Sequence, residues 1–358
     1  MTSRIFLFKM FFIEIQANFR NGMHTLHMMK FGALLLLVLC VVCVAVPLLG
    51  ADPIVAPGAK PQLLQETGAG EGPAWHPEMG LFTSGEGHIM RRDRTGKMSV
   101  SRRDAGSNGL VFDRQGRLVI CEPARRRVTR LEVDGTLALL AGHYDGKRFN
   151  TPNDVTIDCK DRIYFSDPRY GDRSDMELVD AEGRKIEGVY RIDPDGRVTR
   201  IITHEVDRPN GLVVTPDDKF LFVADNNNNT VGGARRLWRF ELKPDGTVDF
   251  ASQKLIHDWK STRGPDGIKL DSKGRLFVAA GINRPNPPYE TAERPTAGIY
   301  VFSPEGELLE FIPIPRDETT NCAFGEDDMK TLFVTAGGSL WSVRVVTPGR
   351  LVWPKVPD

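Results

Sequence analysis

The sequence predicts an all-β protein, a six-bladed β-propeller closed by pairing of its N- and C-terminal strands. A phrase made of a short apolar strand, a turn and a second apolar strand recurs six times along the chain, and strand repeats at this spacing are typical of propeller blades. Further strand pairs with Asp-Gly turns lie between the copies, and helical periodicity is weak. About 300 of the 358 residues carry this pattern, which suits six blades of four strands.

The repeated phrase is clearest in GLVFDRQGRLVICE, which begins at Gly109, and in GIKLDSKGRLFVAA, which begins at Gly267. Runs such as RVTRLEVDGTLALLA, from Arg127, supply the second strand pair of a unit. A β-sandwich does not predict six similar copies, and a solenoid does not require closure. The six copies begin at Gly72, Gly109, Asp154, Gly211, Gly267 and Cys322.

Each end of the repeat region holds one additional strand. Residues 62–65 precede the first copy, and residues 340–346 end the last one. Pairing between these two strands would leave no open sheet edge, and open edges are sites of aggregation. We therefore expect residues 52–358 to form one closed propeller domain.

Residues 1–51 are predicted to be a separate segment, either a signal peptide or an N-terminal anchor. Residues 33–46 are continuously apolar, Lys30 precedes them, and small residues lead to Ala51. This order is typical of a secretory signal, cleaved here after Ala51, and predicts a secreted or periplasmic protein. The run also approaches the length of a membrane span, so a membrane-anchored protein is the alternative if the segment stays uncleaved. The alternative start sites are Met23, Met28 and Met29.

Charge and cysteine content argue against several classes of protein. Lys plus Arg and Asp plus Glu each number 47, so the formal net charge is zero. A neutral chain without a basic stripe offers no basis for nucleic-acid binding. Beyond residue 51, the three cysteines show neither zinc-site spacing nor a disulfide framework. Cys121 and Cys322 lie in predicted strands and are interpreted as small buried residues.

A polar residue stands just before the inner strand of every copy. In a propeller these positions lie near one mouth of the axial channel, so the six side chains should converge. All six are carboxylates or carboxamides, which are hard oxygen ligands suited to Ca²⁺, Mg²⁺ or Mn²⁺. Turn capping would explain a single Asn or Asp but accounts less well for six in register. The six are Glu71, Asn108, Asn153, Asn210, Asp266 and Asn321.

These phrases resemble the gluconolactonase family, which includes regucalcin (senescence marker protein) and the squid-type phosphotriesterase propellers. The resemblance runs from about Glu71 to Val345, and no single motif in it is decisive, although the ordered set is specific. The matching phrases are EGPAW from Glu71, NGLVFDRQGRL from Asn108, GKRFNTPND from Gly146, FSDPRYG from Phe165, RPNGL from Arg208 and GPDG from Gly264.

The resemblance implies an enzyme, a sugar-lactone hydrolase that holds one divalent cation. Glu71, Asn210 and Asp266 would be metal ligands, and Asn153 would be a fourth ligand or a substrate contact. Asp266 would also donate and accept the catalytic proton. Asn108, Asn153 and Asn321 are the expected substrate-binding residues. Ca²⁺ is the expected ion, with Mg²⁺, Mn²⁺ or Zn²⁺ as alternatives, and the partner is a small-molecule lactone.

The chain also departs from the family. Regucalcin-like members carry a substrate-binding arginine two residues before the asparagine of the PND-type phrase, where this chain has Thr151. Bacterial lactonases often read Cys-Glu-His-Gly in the second blade, where this chain has Cys121-Glu-Pro-Ala124. The particular lactone is therefore left open. A non-catalytic calcium-binding propeller and an organophosphate or aryl-ester hydrolase of the same fold are the alternative functions.

Two further features bear on the site. The insertions at residues 168–187 and 283–297 are expected either to shape the pocket as lids or to be surface loops. Asp167 and Asp225, which end their strands, are interpreted as structural hydrogen-bond acceptors rather than catalysts.

Overall fold

A computed structural model describes residues 53–352 and confirms the predicted six-bladed propeller. The predicted N-terminal segment 1–51 lies outside the described residues. Six antiparallel sheets of four strands each follow one another along the chain. The strands of the first three blades are Glu71–His76, Gly80–Gly85, His88–Arg92 and Met98–Arg102; Leu110–Phe112, Leu118–Glu122, Arg127–Leu131 and Leu137–Ala141; and Val155–Ile157, Ile163–Asp167, Gly188–Ile192 and Val198–Ile202.

The remaining blades follow the same order, except that the last is completed by the first strand of the chain. Their strands are Pro209–Val214, Phe220–Asn226, Arg235–Leu242 and Val248–Asp258; Ile268–Leu270, Leu276–Ala280, Gly298–Phe302 and Leu308–Pro313; and Thr319–Gly325, Thr331–Ala336, Ser339–Arg344 and Gln62–Gln65.

Closure of the ring occurs at the predicted pair of strands. Gln62–Gln65 lies antiparallel to Ser339–Arg344, with Leu63 opposite Trp341. A bridge between Val55 and Val345 extends the contact. The outward side of Ser339–Arg344 is therefore paired, and Gln62–Gln65 becomes the outer strand of the sixth sheet.

The turn between the first two strands of a blade repeats with the sequence. In the second blade, the Asp113 carboxylate accepts hydrogen bonds from the backbone N–H groups of Gln115 and Arg117, each at 2.9 Å. The Arg117 guanidinium returns to the same carboxylate at 2.8 Å. Asp271 and Arg275 repeat the arrangement in the fifth blade at 2.6 Å. The shared Asp-x-x-Gly-Arg phrase thus encodes the same turn in both blades.

The hydrophobic core lies between blades, since each sheet packs both faces against its neighbours. Phe82 of the first blade meets Phe112 of the second edge-on, with ring centroids 5.5 Å apart. Phe277 and Phe324 join the fifth and sixth blades at 4.9 Å. Trp75 of the first blade stacks on Phe333 of the sixth, with ring centroids 5.8 Å apart. Such aromatic pairs add to the stabilisation from buried apolar area.

The remaining elements are small. A hairpin of His143–Tyr144 and Lys147–Arg148 follows the second blade, and Pro123–Arg125 forms a 3₁₀ turn. No helix between residues 53 and 352 has the length and apolar character needed to cross a membrane. Cys121 and Cys322 are fully buried in strands, as predicted.

Candidate functional site

Neighbouring blades touch at the predicted axial positions. A Cβ atom on Gly72 would lie 2.0 Å from the carbonyl oxygen of Asn108, and one on Gly211 would lie 2.0 Å from that of Asp266. Only glycine permits such an approach. Between the second and third blades, the Gly109 N–H donates to the Asn153 carbonyl at 2.7 Å.

The sequence predicted that all six residues precede their strands. Three of them instead lie within a strand. Glu71 is the first residue of its strand, and Asn210 and Asn321 lie inside theirs. Strand pairing is irregular at all three places. Bulges of this kind re-aim side chains, and they are frequent beside functional sites.

Glu71 is held by a hydrogen-bond network that spans three further blades. Its Oε2 atom accepts hydrogen bonds from the Gly72 N–H at 2.6 Å and from Asn321 Nδ2 at 3.0 Å. The same Asn321 nitrogen lies 3.5 Å from Asp154 Oδ2. Lys269 Nζ donates to Asn321 Oδ1 at 3.3 Å and lies 4.0 Å from Asp154 Oδ2. The Asn321 amide thus bridges two carboxylates and an ammonium group, and its substrate contact stays a prediction.

Two of the predicted metal ligands repel each other electrostatically. Burial and the neighbouring Asp154 carboxylate raise the pKa of Glu71 to about 7. Burial and the charge of Glu71 raise the pKa of Asp266 well above its usual value, although Arg263 opposes this. Like charges held together in a buried site favour the protonated form unless a cation neutralises them.

Amide oxygens complete the donor set. The Oδ1 atoms of Asn108 and Asn210 are buried and have no hydrogen-bond partner within residues 53–352, although buried polar atoms are normally paired. Asn210 is held from its other side, because its Nδ2 donates to the Tyr170 hydroxyl at 2.9 Å. Burial and the charge of Asp266 raise the pKa of Tyr170, so this phenol keeps its proton at neutral pH.

This donor set fits a hard divalent cation. Within the described range, no three His, Cys, Asp or Glu side chains are grouped as metal ligands. The axial site instead offers two carboxylates and unpaired amide oxygens, which Ca²⁺ accepts readily at varied geometry. Asn153 is also buried at this mouth, with its backbone N–H bonded to the Ser166 carbonyl at 2.9 Å.

The insertion at residues 168–187 is fastened beside the site. Glu187 at its end forms a two-pronged salt bridge with Arg208, at 2.7 and 3.0 Å, and both side chains are buried. The Arg208 guanidinium lies over the Tyr170 ring, 5.3 Å from its centroid. Thr151, which replaces the family arginine, donates to the Pro168 carbonyl at 2.5 Å.

The insertion at residues 283–297 is anchored in a similar way. Arg263, three residues before Asp266, pairs with Glu290 at 2.8 Å, and both side chains are buried. Arg263 also contacts Glu318. Each insertion is therefore tied by a buried arginine to the segment that carries an axial residue, which favours pocket walls over surface loops.

Asp154 and Lys269 are site residues that the sequence reasoning missed. Asp154 begins the third copy where four other copies have glycine, and Lys269 is the charged residue at the third position of its copy where the others have Ala, Val, Thr, Val and Phe. Both departures from the repeat could have identified these residues as part of the site.

Asp167 and Asp225 serve as structural acceptors, as predicted. Asp167 Oδ2 accepts a hydrogen bond from the Asn150 N–H at 2.8 Å, and Asp225 Oδ1 accepts one from the Arg208 N–H at 2.9 Å.

A cavity of about 550 Å³ lies at the opposite ends of the inner strands. Residues 156–159, 213–216 and 348–352 line most of it. The segment at 348–352 crosses this mouth, with the Arg350 N–H bonded to the Leu270 carbonyl at 2.9 Å. None of the six axial residues lines this cavity, so it is separate from the candidate site.

The fold and this site define a class: six-bladed propellers with a polar axial site of two carboxylates and several amides. The chain belongs to the SMP-30/gluconolactonase/LRE-like family, whose sequence profile matches residues 69–338.

Two comparisons support the assignment, and a third shows the fold alone. The chain is 30% identical over 256 residues to a gluconolactonase of Zymomonas mobilis, with 69% of this chain and 65% of that protein covered. The solved structure of a gluconolactonase from Xanthomonas campestris has 30% identity and a TM-score of 0.67, and covers 83% of this chain and 96% of that one. A calcium-binding regucalcin from Agrobacterium tumefaciens shares the fold at 16% identity and a TM-score of 0.59, over 84% of this chain and 96% of that one.

Proposed function

We propose that this protein hydrolyses a sugar lactone to the corresponding aldonic acid at the axial site, with one divalent cation bound there. Family membership and relatives named gluconolactonase support a hydrolase acting on lactones. The observation that carries the proposal is the pairing of two buried, mutually repelling carboxylates with unpaired amide oxygens at one mouth.

Charge balance supports a single divalent ion. Glu71, Asp154 and Asp266 contribute three negative charges when ionised, and Lys269 contributes one positive charge within the same network. The remaining two negative charges match one Ca²⁺. Mg²⁺, Mn²⁺ and Zn²⁺ are the alternatives, but Ca²⁺ best tolerates a ring of ligands supplied by separate blades.

Each residue then has a role. Glu71, Asn210 and Asp266 hold the ion, and Asn153 is a fourth ligand or a substrate contact. Asn108, Asn153 and Asn321 face the substrate side in this assignment, with Asn321 also holding Glu71. A bound cation supplies stabilisation of the negative charge that develops on the carbonyl oxygen during attack.

Asp266 moves the proton in this scheme. Its carboxylate accepts a proton from the attacking water and returns it to the departing ring oxygen. Without an ion, burial and the charge of Glu71 raise the pKa of Asp266, whereas a bound cation would favour the ionised form that accepts the proton. Arg263, paired with Glu290, opposes the rise in this pKa.

The test is hydrolysis of glucono-δ-lactone followed by acid release, with the spontaneous rate subtracted. We expect activity that a chelator abolishes and that Ca²⁺ restores. An organophosphate and an aryl ester tested in parallel decide between hydrolases of the same fold. Calcium binding without turnover of any of these substrates would favour the non-catalytic propeller instead.

We also propose that the protein acts outside the cytoplasm, as a secreted or periplasmic enzyme, because residues 33–46 resemble a signal sequence. The mass of the mature protein tests this. Loss of residues 1–51 is expected, and retention of the apolar run would indicate a membrane anchor.

A further inference from the structure

We propose that Tyr170 is a positioning residue that fixes the Asn210 amide with its oxygen, not its nitrogen, toward the axial cation site. The inference rests on the proposed function, because it assigns a role toward the same ion. It adds a residue from the 168–187 insertion to a site otherwise built from inner strands.

The orientation follows from counting hydrogen atoms. A phenol has one O–H to donate, and the Tyr170 hydroxyl lies 3.1 Å from the Asn226 carbonyl oxygen, which can only accept. The Tyr170 oxygen is therefore an acceptor toward Asn210, 2.9 Å away. Asn210 must present its NH₂ group to that oxygen. Its Oδ1 atom is left on the other branch of the amide, buried and without a partner within residues 53–352.

Tyr170 is itself held in place. The Arg208 guanidinium lies over its ring at 5.3 Å, and a cation over an aromatic face is attracted to it. Arg208 is only 1% exposed and is fixed by its two hydrogen bonds to Glu187. Glu187 ends the insertion that contains Tyr170, and the Thr151 hydroxyl donates to the Pro168 carbonyl at its start, so the insertion is secured on both sides of the phenol.

The consequence for ion binding is electrostatic. An asparagine can rotate its amide by half a turn at little steric cost, which would direct two N–H donors toward a cation and repel it. Within the described residues, Tyr170 is the partner of the Asn210 side chain that decides between the two orientations. Partners of this kind commonly change metal affinity by about 10–100-fold.

The experiment measures Ca²⁺ affinity by titration calorimetry, so that it does not depend on turnover. Tyr170→Phe removes one oxygen atom and leaves the ring on Arg208. We expect its dissociation constant for Ca²⁺ to rise by about 10–100-fold. Tyr300→Phe is the matched control, since it also removes a hydroxyl bonded to a backbone carbonyl, that of Thr296 at 2.6 Å. It should leave the affinity unchanged.

A double-mutant cycle separates positioning from general damage. In an Asn210→Asp background both side-chain oxygens are equivalent, so orientation no longer matters. Adding Tyr170→Phe there should cost less than about threefold in Ca²⁺ affinity. An equal loss in both backgrounds, or an affinity of Tyr170→Phe equal to that of Tyr300→Phe, would overturn the proposal.

A second measurement needs no variant. In a crystal of the wild-type protein with Ca²⁺, Asn210 Oδ1 should lie about 2.3–2.6 Å from the ion while Nδ2 stays on Tyr170. An ion bound without Asn210, or with Tyr170 displaced, would refute the positioning role. Absence of Ca²⁺ binding by the wild-type protein would instead count against the proposed metal-dependent function.

Discussion

The ammonium nitrogen of Lys269 lies 4.0 Å from Asp154 Oδ2, and both residues contact the amide of Asn321 that holds Glu71. The pair joins the fifth blade to the third across the channel. Lys269 provides a fixed positive charge beside the carboxylates and amides of the site. Its removal separates the contribution of fixed charge from that of the bound ion.

Lys269→Met should lower the stability of the calcium-free protein and raise its affinity for calcium. Asp154 loses its counter-charge, which we expect to lower the free energy of unfolding in chelator by about 1–3 kcal/mol. The site gains one net negative charge, so the dissociation constant for Ca²⁺ should fall. Denaturant unfolding and calcium titration measure the two effects. Lys243→Met, at an exposed turn of the fourth blade, is the control and should change neither. If Lys269→Met behaves like the control, Lys269 has no electrostatic role.

Calcium should stabilise the protein more as the pH rises. The pKa of Glu71 is raised from 4.5 to about 7 without the ion, so the folded state holds a proton that the unfolded state releases. Stability from this group is present below 4.5 and is lost as the pH rises toward about 7. Binding of Ca²⁺ requires the ionised form, so its stabilisation grows over the same window. Thermal melting in chelator and in Ca²⁺, from pH 5 to 8, measures the gap.

Glu71→Gln is the control for that pH series. Glutamine does not titrate, so the melting temperature of the variant in chelator should not carry the pH dependence that Glu71 causes. The difference in melting temperature between wild type and variant should therefore change between pH 5 and 7. A constant difference across this range would show that Glu71 does not titrate there.

Asp266→Asn should lower lactone turnover by about 10²–10⁴-fold, because the variant cannot accept a proton from water. Calcium binding should weaken because a ligand charge is lost, but the amide still offers an oxygen, so saturating Ca²⁺ can fill the site. Steady-state kinetics with saturating Ca²⁺ and a parallel calorimetric titration measure both. Asp271→Asn, at the turn beyond the other end of the same inner strand, should keep its turnover per folded molecule. Full turnover in Asp266→Asn would remove Asp266 from the mechanism.

Asp167→Asn should stabilise the protein increasingly as the pH rises from about 4 to 8. Burial raises the pKa of Asp167 from 3.8 to about 8, although N–H donors from Asn150 and Thr151 oppose the shift. The native protein therefore loses stability over this window, whereas an asparagine does not titrate. Denaturant unfolding at several pH values gives the difference between the two proteins. A pH-independent difference would mean that Asp167 ionises normally.

The repeat and the axial positions could be predicted from sequence because the same local sequence pattern occurs in each of the six blades. The phrase at Gly109 and that at Gly267 fold alike, and the axial side chains occupy the same place in each copy. Contacts between blades could not be predicted in this way. The Asn321 bridge from Glu71 to Lys269 depends on which blades become neighbours or face each other across the channel, and no local pattern encodes that. The Tyr170 contact depends on how an insertion folds back.

The 250 residues that separate Glu71 from Asn321 have a consequence for biosynthesis. At about 5–20 residues per second, a ribosome produces Asn321 roughly 10–50 s after Glu71. During that interval the nascent chain lacks the last blade, and Gln62–Gln65 still lacks its partner Ser339–Arg344. A truncated product lacking the last blade therefore retains most of the length of the protein without a complete ion site, and it exposes a strand edge on which chaperones or other chains can act.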